Sequence, residues 1–214
     1  MLIPFLSASV IEGPVLVLAG AGSGKTRVLT RRIAYLIENG IAPYNILAVT
    51  FTNKAAAEMK ERVGALIGED VDDLWISTFH SACLRMLRRD AISLGYQPGF
   101  LVYDSDDQKN LIKKIIQGRG LSSKEHKPRD FVSNISEAKN HPHSHEDRCA
   151  YIKENYGQLT LEIYEEYKKR LKLSNAMDFN DLMLLCIQLF EENPGALWRR
   201  QSQFRYILVD EYQD

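Results

Sequence analysis

Eight consecutive residues near the start of the chain, Ala19, Gly20, Ala21, Gly22, Ser23, Gly24, Lys25 and Thr26, have the composition of a loop that wraps a phosphate chain. Glycines let the backbone curl until successive N–H groups point inward at anionic oxygens. A helix opening directly after such a loop adds partial positive charge at the same point. In that arrangement Lys25 reaches the β- and γ-phosphates of ATP and the Thr26 hydroxyl ligates Mg²⁺, with Arg27 the last residue of the nucleotide-binding stretch. The strict pattern begins with glycine, and here Ala19 holds that place. The plain alternative is a glycine-rich turn that only caps a helix.

Far downstream, the apolar run Ile207, Leu208, Val209 ends in two carboxylates, Asp210 and Glu211. A phosphate-loop ATPase needs one acid near its Mg²⁺ and often a second group to orient the attacking water. Asp210 suits the first role and Glu211 the second. Taken alone, acids after a strand are common turn formers. Coupled to an upstream phosphate loop, the pair points to nucleotide hydrolysis.

Elements must bring these distant residues together. Four short apolar runs, 15–18, 46–51, 74–77 and 206–209, read as buried strands of a parallel sheet covered on both faces. Between them, 26–39 carries Val28, Leu29, Ile33, Leu36 and Ile37 on one helical stripe with Gly40 as a stop, and 53–67 carries Ala55, Met59, Val63, Leu66 and Ile67 likewise. Alternating strand and helix implies βαβ units. From about 104 to 176 no strand is evident, and polar breaks at 118–129 and 139–147 separate helical segments. The segment 159–173 puts Ile163, Tyr167 and Leu171 on one face, with Glu165–Lys169 and Glu166–Arg170 spaced as i,i+4 pairs on the other. Asp178 reads as the N-cap of an apolar helix through Phe190, which Pro194 closes. The reading is an α/β domain with an all-helical insertion: 1–103, then 104–176, then a return over 177–214.

Composition excludes little. With 27 basic and 28 acidic residues the net charge is -1, so nucleic-acid binding must come from a local surface. Cys83, Cys149 and Cys186 form no CxxC pair, which fits a reducing cytoplasm and argues against a zinc or disulfide framework. The apolar start lacks a basic leader, and no stretch is long and apolar enough to span a membrane. His141, His143 and His145 sit in a polar break and read as solvated loop rather than metal ligands; Lys168, Lys169, Arg170 and Lys172, offset by nearby glutamates, read as a solvated face.

Four segments in order carry a family resemblance: the phosphate loop, then Val49, Thr50, Phe51, Thr52, Asn53, Lys54, Ala55 and Ala56, then Thr78, Phe79, His80 and Ser81, then Asp210, Glu211, Tyr212, Gln213 and Asp214. The chain resembles the N-terminal part of UvrD/Rep/PcrA-type superfamily I helicases, from about residue 12 to 214. That resemblance implies a RecA-like domain (1A) of the P-loop NTPase class, interrupted by a helical domain 1B. It also implies an ATP-driven motor moving 3′ to 5′ on single-stranded DNA and meeting single-strand/duplex junctions. Lys25 and Thr26 then hold phosphate and magnesium, Asp210 supports the metal, Glu211 activates water and Gln213 senses the γ-phosphate. Phe51, Thr52, Asn53, Thr78, Phe79 and His80 face the DNA: an aromatic ring stacks on any base, and polar neighbours hold phosphates without reading sequence. The alternatives are a core role for Phe51 and a helix-capping role for Thr78.

The family's adenine-recognising glutamine motif lies ahead of the phosphate loop, yet the first glutamine here is Gln97. The chain stops just after the Asp-Glu pair, so only the front of the motor is expected, without the second RecA-like domain and its arginines. A stand-alone nucleotide- and single-strand-binding module is the second reading, and a small-molecule kinase the third.

Overall fold

Three of the expected strands pair into one parallel sheet. The computed structural model describes residues 9, 11–18, 24–68, 73–140 and 144–212. Strand β1 (Ile46–Thr50) is buried at every position, as a run without alternation requires. It is flanked by β2 (Trp75–Thr78), in register from Leu47↔Trp75 to Thr50↔Thr78, and by β5 (Tyr206–Val209), from Ile46↔Tyr206 to Val49↔Val209. The order β2-β1-β5 places the last strand beside the central one.

Helix α1 (Lys25–Glu38) buries Val28, Ile33 and Leu36, and Gly40 leaves it in the left-handed region at φ 83°. Helix α2 (Asn53–Ile67) opens where the Thr52 side chain accepts the Ala55 N–H at 3.1 Å, and it buries Ala56, Met59 and Val63. Leu66, expected on that stripe, is exposed. Ile33, Leu36, Met59 and Val63 close over Ala48, Ile76 and Leu208 of the sheet in one core.

The expected first strand does not form. Residues 14–18 take no strand conformation, and Leu16 and Leu18 are 66% and 86% exposed. A cavity of about 1100 Å³ separates this segment from β5. Paired strands lie roughly 4.8 Å apart, so an apolar run across such a gap has no ladder to join. Apolar composition selected the segment, but pairing is a property of the neighbour.

The described chain divides into two compact units, Met1–Ala82 with Pro194–Asp214, and Cys83–Asn193. The first contains the sheet and also helix α8 (Pro194–Gln203). Pro194 was expected only to end the preceding helix; it opens a new one, because a proline at the first helical position sacrifices no hydrogen bond. Helix α3 (Phe79–Asp90) follows β2 directly.

In the second unit, β3 (Leu101–Tyr103) pairs in parallel with β4 (Ala176–Asp178). Neither strand was anticipated, since three residues hold too little pattern. Around them lie α4 (Ser105–Gly118), α5 (Pro128–Asn140), α6 (His145–Leu173) and α7 (Phe179–Glu192). The span 104–176 lies inside this unit, which takes in α7 as well. Asp178 caps α7 as expected, in a reciprocal box with Asp181. Helix α6 breaks at Gly157 (φ 82°, ψ 170°), a conformation open essentially to glycine alone. Its two limbs double back, with Tyr164, Tyr167 and Ile163 packed against Ile152 and Ile135 in the core.

The same unit buries a polar knot. The Lys139 ammonium donates to Asp178 and Asp181 at 2.6 Å each, and the Tyr167 hydroxyl donates to Asp178 at 2.9 Å. Lys139 and Asp178 are almost fully inaccessible. Buried charge is tolerable only when paired and hydrogen-bonded, and here each member is.

Candidate functional site

The parallel sheet aims the C-terminal ends of its strands in one direction, where ligands of α/β sheets bind. At the end of β5 the Asp210 N–H donates to the Val49 carbonyl at 2.9 Å, which ties the first acid to the central strand. Asp210 is 5% exposed. The Thr26 hydroxyl, in the first turn of α1, donates to Asp210 Oδ2 at 3.4 Å. Beside it, Lys25 Nζ donates to Glu211 Oε2 at 3.1 Å. Residues at opposite ends of the chain thus meet as two adjacent pairs.

Glu211 takes a left-handed backbone (φ 53°), unusual for a side chain of its size. Strain of this kind costs roughly 1–3 kcal/mol and concentrates at functional sites. Burial pushes the Asp210 carboxyl above its ordinary range, and the Glu211 carboxylate adds to the effect; the Glu211 N–H and Thr26 hydroxyl oppose it. A bound cation would reverse the balance. The Thr26 hydroxyl and Asp210 carboxylate fit an octahedral Mg²⁺, whose neighbouring ligands stand about 3 Å apart at its short oxygen distances. Such an ion, when bound, would offset negative charge on an anionic ligand.

Gly24 (φ 91°) leads into α1, and Lys25, Thr26 and Arg27 form that helix's first turn. Of the remaining sequence-selected residues, Ala19, Gly20, Ala21, Gly22, Ser23 and Gln213 lie outside the described residues, as do His141 and His143.

The second group gathers at the ends of β1 and β2. Phe51 is 52% exposed, so the core alternative for it fails. Its ring lies 5.5 Å from that of Phe79, tilted by 53°. Thr52 and Asn53 are exposed beside it. Thr78 is buried and caps the start of α3: its Oγ1 accepts the Ser81 N–H at 3.2 Å and lies 2.9 Å from Ser81 Oγ. Burial holds the His80 imidazole below its ordinary range. Adjacent strand ends therefore present two aromatic rings within a polar rim.

Sequence reading missed a cluster in the second unit. Glu165, expected to pair with Lys169, instead meets His145 Nε2 and Cys149 Sγ at 3.2 Å each, while Arg170 pairs with Glu166 at 2.6 Å as expected. The available signal was the i,i+4 spacing of His145 and Cys149. Their third neighbour is brought in only by the break at Gly157.

Among the described residues no helix is long and apolar enough to cross a membrane. A sequence model of the UvrD/REP helicase N-terminal domain matches residues 6–214. The chain is 49% identical over 204 residues to the ATP-dependent DNA helicase PcrA of Staphylococcus epidermidis, covering 95% of this chain and 28% of the relative. It is 48% identical over the same length and shares to the PcrA helicase of Staphylococcus aureus. The chain therefore spans just over a quarter of the curated relatives it matches. With both the matched length and the identity this high, the chain belongs to the UvrD/REP helicase N-terminal domain family.

Proposed function

We propose that this chain forms the phosphate-binding and water-activating side of the nucleotide site in an ATP-dependent DNA helicase that moves 3′ to 5′ along single-stranded DNA. One observation carries the reading: Lys25 with Glu211, and Thr26 with Asp210, converge across 186 and 184 positions of sequence. In this reading the loop from Ala19 to Thr26 holds Mg·ATP, with Lys25 on the β- and γ-phosphates and Thr26 and Asp210 on the ion. Glu211 takes a proton from the attacking water, and Gln213 senses the γ-phosphate.

Phe51 and Phe79 would stack on unpaired bases while Thr52, Asn53 and His80 hold the backbone, a surface suited to single strands and their junctions with duplex. In this reading residues 1–103 and 177–214 form the RecA-like domain 1A and residues 104–176 the helical domain 1B, with a second RecA-like domain as the partner that closes the site. Action on DNA would suit a cytoplasmic location.

Titration of the folded chain with Mg·ATP tests the reading. Lys25→Ala is expected to abolish tight binding and leave the melting temperature nearly unchanged, since the Lys25–Glu211 pair is partly exposed. Equal affinities in wild type and variant would overturn the assignment of Lys25.

A further inference from the structure

The two limbs of α6 meet at a group of side chains that the nucleotide and DNA reading does not use. On a straight helix, Cys149 and Glu165 would stand about 24 Å apart at 1.5 Å per residue. The reversal at Gly157 instead brings Cys149 Sγ to 3.2 Å from Glu165 Oε1. His145 Nε2 completes a triangle, 3.2 Å from the same carboxylate oxygen and 3.6 Å from the sulfur. An imidazole, a thiol and a carboxylate, with donor atoms all within 4.8 Å of one another, lie at a half-exposed seam.

We propose that His145, Cys149 and Glu165 form a binding site for a borderline-soft divalent cation of the zinc type, which fastens the two limbs of α6 to each other. The donor spacings carry the assignment. Zinc bonds of about 2.3 Å to sulfur and 2.0–2.2 Å to nitrogen and oxygen, at tetrahedral angles, put ligand atoms roughly 3.4–3.6 Å apart. The three separations here differ from those values by a few tenths of an ångström. Donor chemistry selects the ion: a thiolate disfavours Mg²⁺ and Ca²⁺, which prefer oxygen shells, and favours zinc-like metals. Thiolate and carboxylate together neutralise a doubly charged ion, and the exposed side leaves a fourth position to water.

In the metal-free chain the Cys149 thiol, pushed up to about 11 by burial and by the neighbouring Glu165 carboxylate, keeps its proton. On binding, the sulfur–metal bond replaces the S–H bond and that proton passes to solvent. Two cations face the site. Lys168 Nζ lies 3.3 Å and 3.4 Å from the two ring nitrogens of His145, and the Arg148 charge also acts on Cys149. The Lys168 ammonium rides on a flexible four-carbon stem and swings outward when the metal enters. The imidazole turns at the same time to aim one nitrogen at the ion; its place at the first position of α6 leaves it room to do so.

Cobalt titration of the reduced full chain, free of chelator, decides the matter. Wild type is expected to take up one equivalent and to show a thiolate-to-cobalt charge-transfer band with the intense visible bands of four-coordinate cobalt. Cys149→Ser should lose the charge-transfer band, and His145→Gln and Glu165→Gln should each weaken binding at least tenfold. Zinc should raise the melting temperature of wild type by several degrees and leave that of Cys149→Ser unmoved, because an ion bound only by the folded state stabilises it. Absence of the band in wild type shows the cluster to be a polar latch only and overturns the proposal. Persistence of the band in Cys149→Ser assigns the metal to another cysteine and overturns it equally. These readings concern the helical unit alone, so they stand or fall independently of ATP binding.

Discussion

Lys25 Nζ stands 3.1 Å from Glu211 Oε2, so the group that would grip phosphate and the group that would activate water neutralise each other before nucleotide arrives. The two side chains are 26% and 40% exposed, which makes the pair worth at most about 1 kcal/mol. A triphosphate offers Lys25 a stronger partner. Drawing the lysine away leaves the carboxylate ready to accept a proton, so binding itself would arm the base.

Replacing Glu211 by glutamine is therefore expected to leave Mg·ATP affinity unchanged or higher, because Lys25 loses its competitor. Hydrolysis should fall by roughly 10²–10⁴-fold, the usual contribution of a general base. Single-turnover hydrolysis alongside nucleotide titration makes the comparison. Lost affinity with unaltered hydrolysis would exchange the roles of Glu211 and Asp210.

Phe51→Ala should weaken binding to a single-stranded oligonucleotide by about 1–3 kcal/mol, the range for loss of one base–aromatic stack. Stability should barely change, since half of the ring is already in water. Fluorescence anisotropy with a labelled homopolymer at fixed salt reads the effect. Unchanged affinity would remove the strand-end aromatics from the DNA surface.

Lys139→Met should destabilise the helical unit by about 3–5 kcal/mol, because two buried carboxylates lose their common cation. The wild-type knot also sets a pH dependence. Burial pulls the Lys139 ammonium down, but Asp181 and Asp178 more than compensate, and its folded value is raised. A raised lysine stabilises fully below its unfolded value near 10.5, and the contribution disappears as pH climbs through the folded value. Burial raises the Asp178 carboxyl, but Lys139, the Asp181 N–H and the Tyr167 hydroxyl bring it below its ordinary range. Its contribution is present above the unfolded value and fades as pH falls through the lower folded one. Asp181 is raised by burial and by Asp178, so its own contribution runs the other way on acidification. Urea unfolding across pH should show a steeper alkaline loss in wild type than in Lys139→Met, since both keep the loss that comes from tyrosines such as Tyr96 and Tyr164, raised by burial.

Gly157→Ala tests the hairpin in α6. A Cβ there meets nothing within 4 Å, so packing would tolerate it. The backbone would not: φ 82° with ψ 170° is essentially closed to alanine, at a cost of roughly 1–3 kcal/mol. Chemical denaturation should report a loss of that size. An equally stable variant would mean that the limbs can be joined by another turn.

Much of this protein is local and was therefore legible in its residues. Apolar runs without alternation marked β1, β2 and β5; β1 is covered at every position, as such a run requires, whereas β5 leaves Ile207 63% exposed. Helix limits followed from Gly40 and from the N-cap Asp178, whose bond to the Asp181 N–H spans three residues. The residue types at Lys25, Thr26, Asp210 and Glu211 marked one candidate site in the sequence, and the fold brings the four side chains together.

What sequence left open depends on who stands opposite. The run 15–18 is as apolar as a strand, but strand structure needs a partner's backbone, and the space beside β5 keeps it unpaired. Phe51 looks the same in sequence whether buried or exposed; only the packing beside Phe79 decides it. Lys139, on an otherwise ordinary helix face, becomes buried because β4 and α7 bring two aspartates to it. Glu165 leaves its helical neighbour for Cys149 and His145 because one glycine reverses the chain. Local physics is written in adjacent residues. Contacts across tens of residues arise only when the backbone closes on itself.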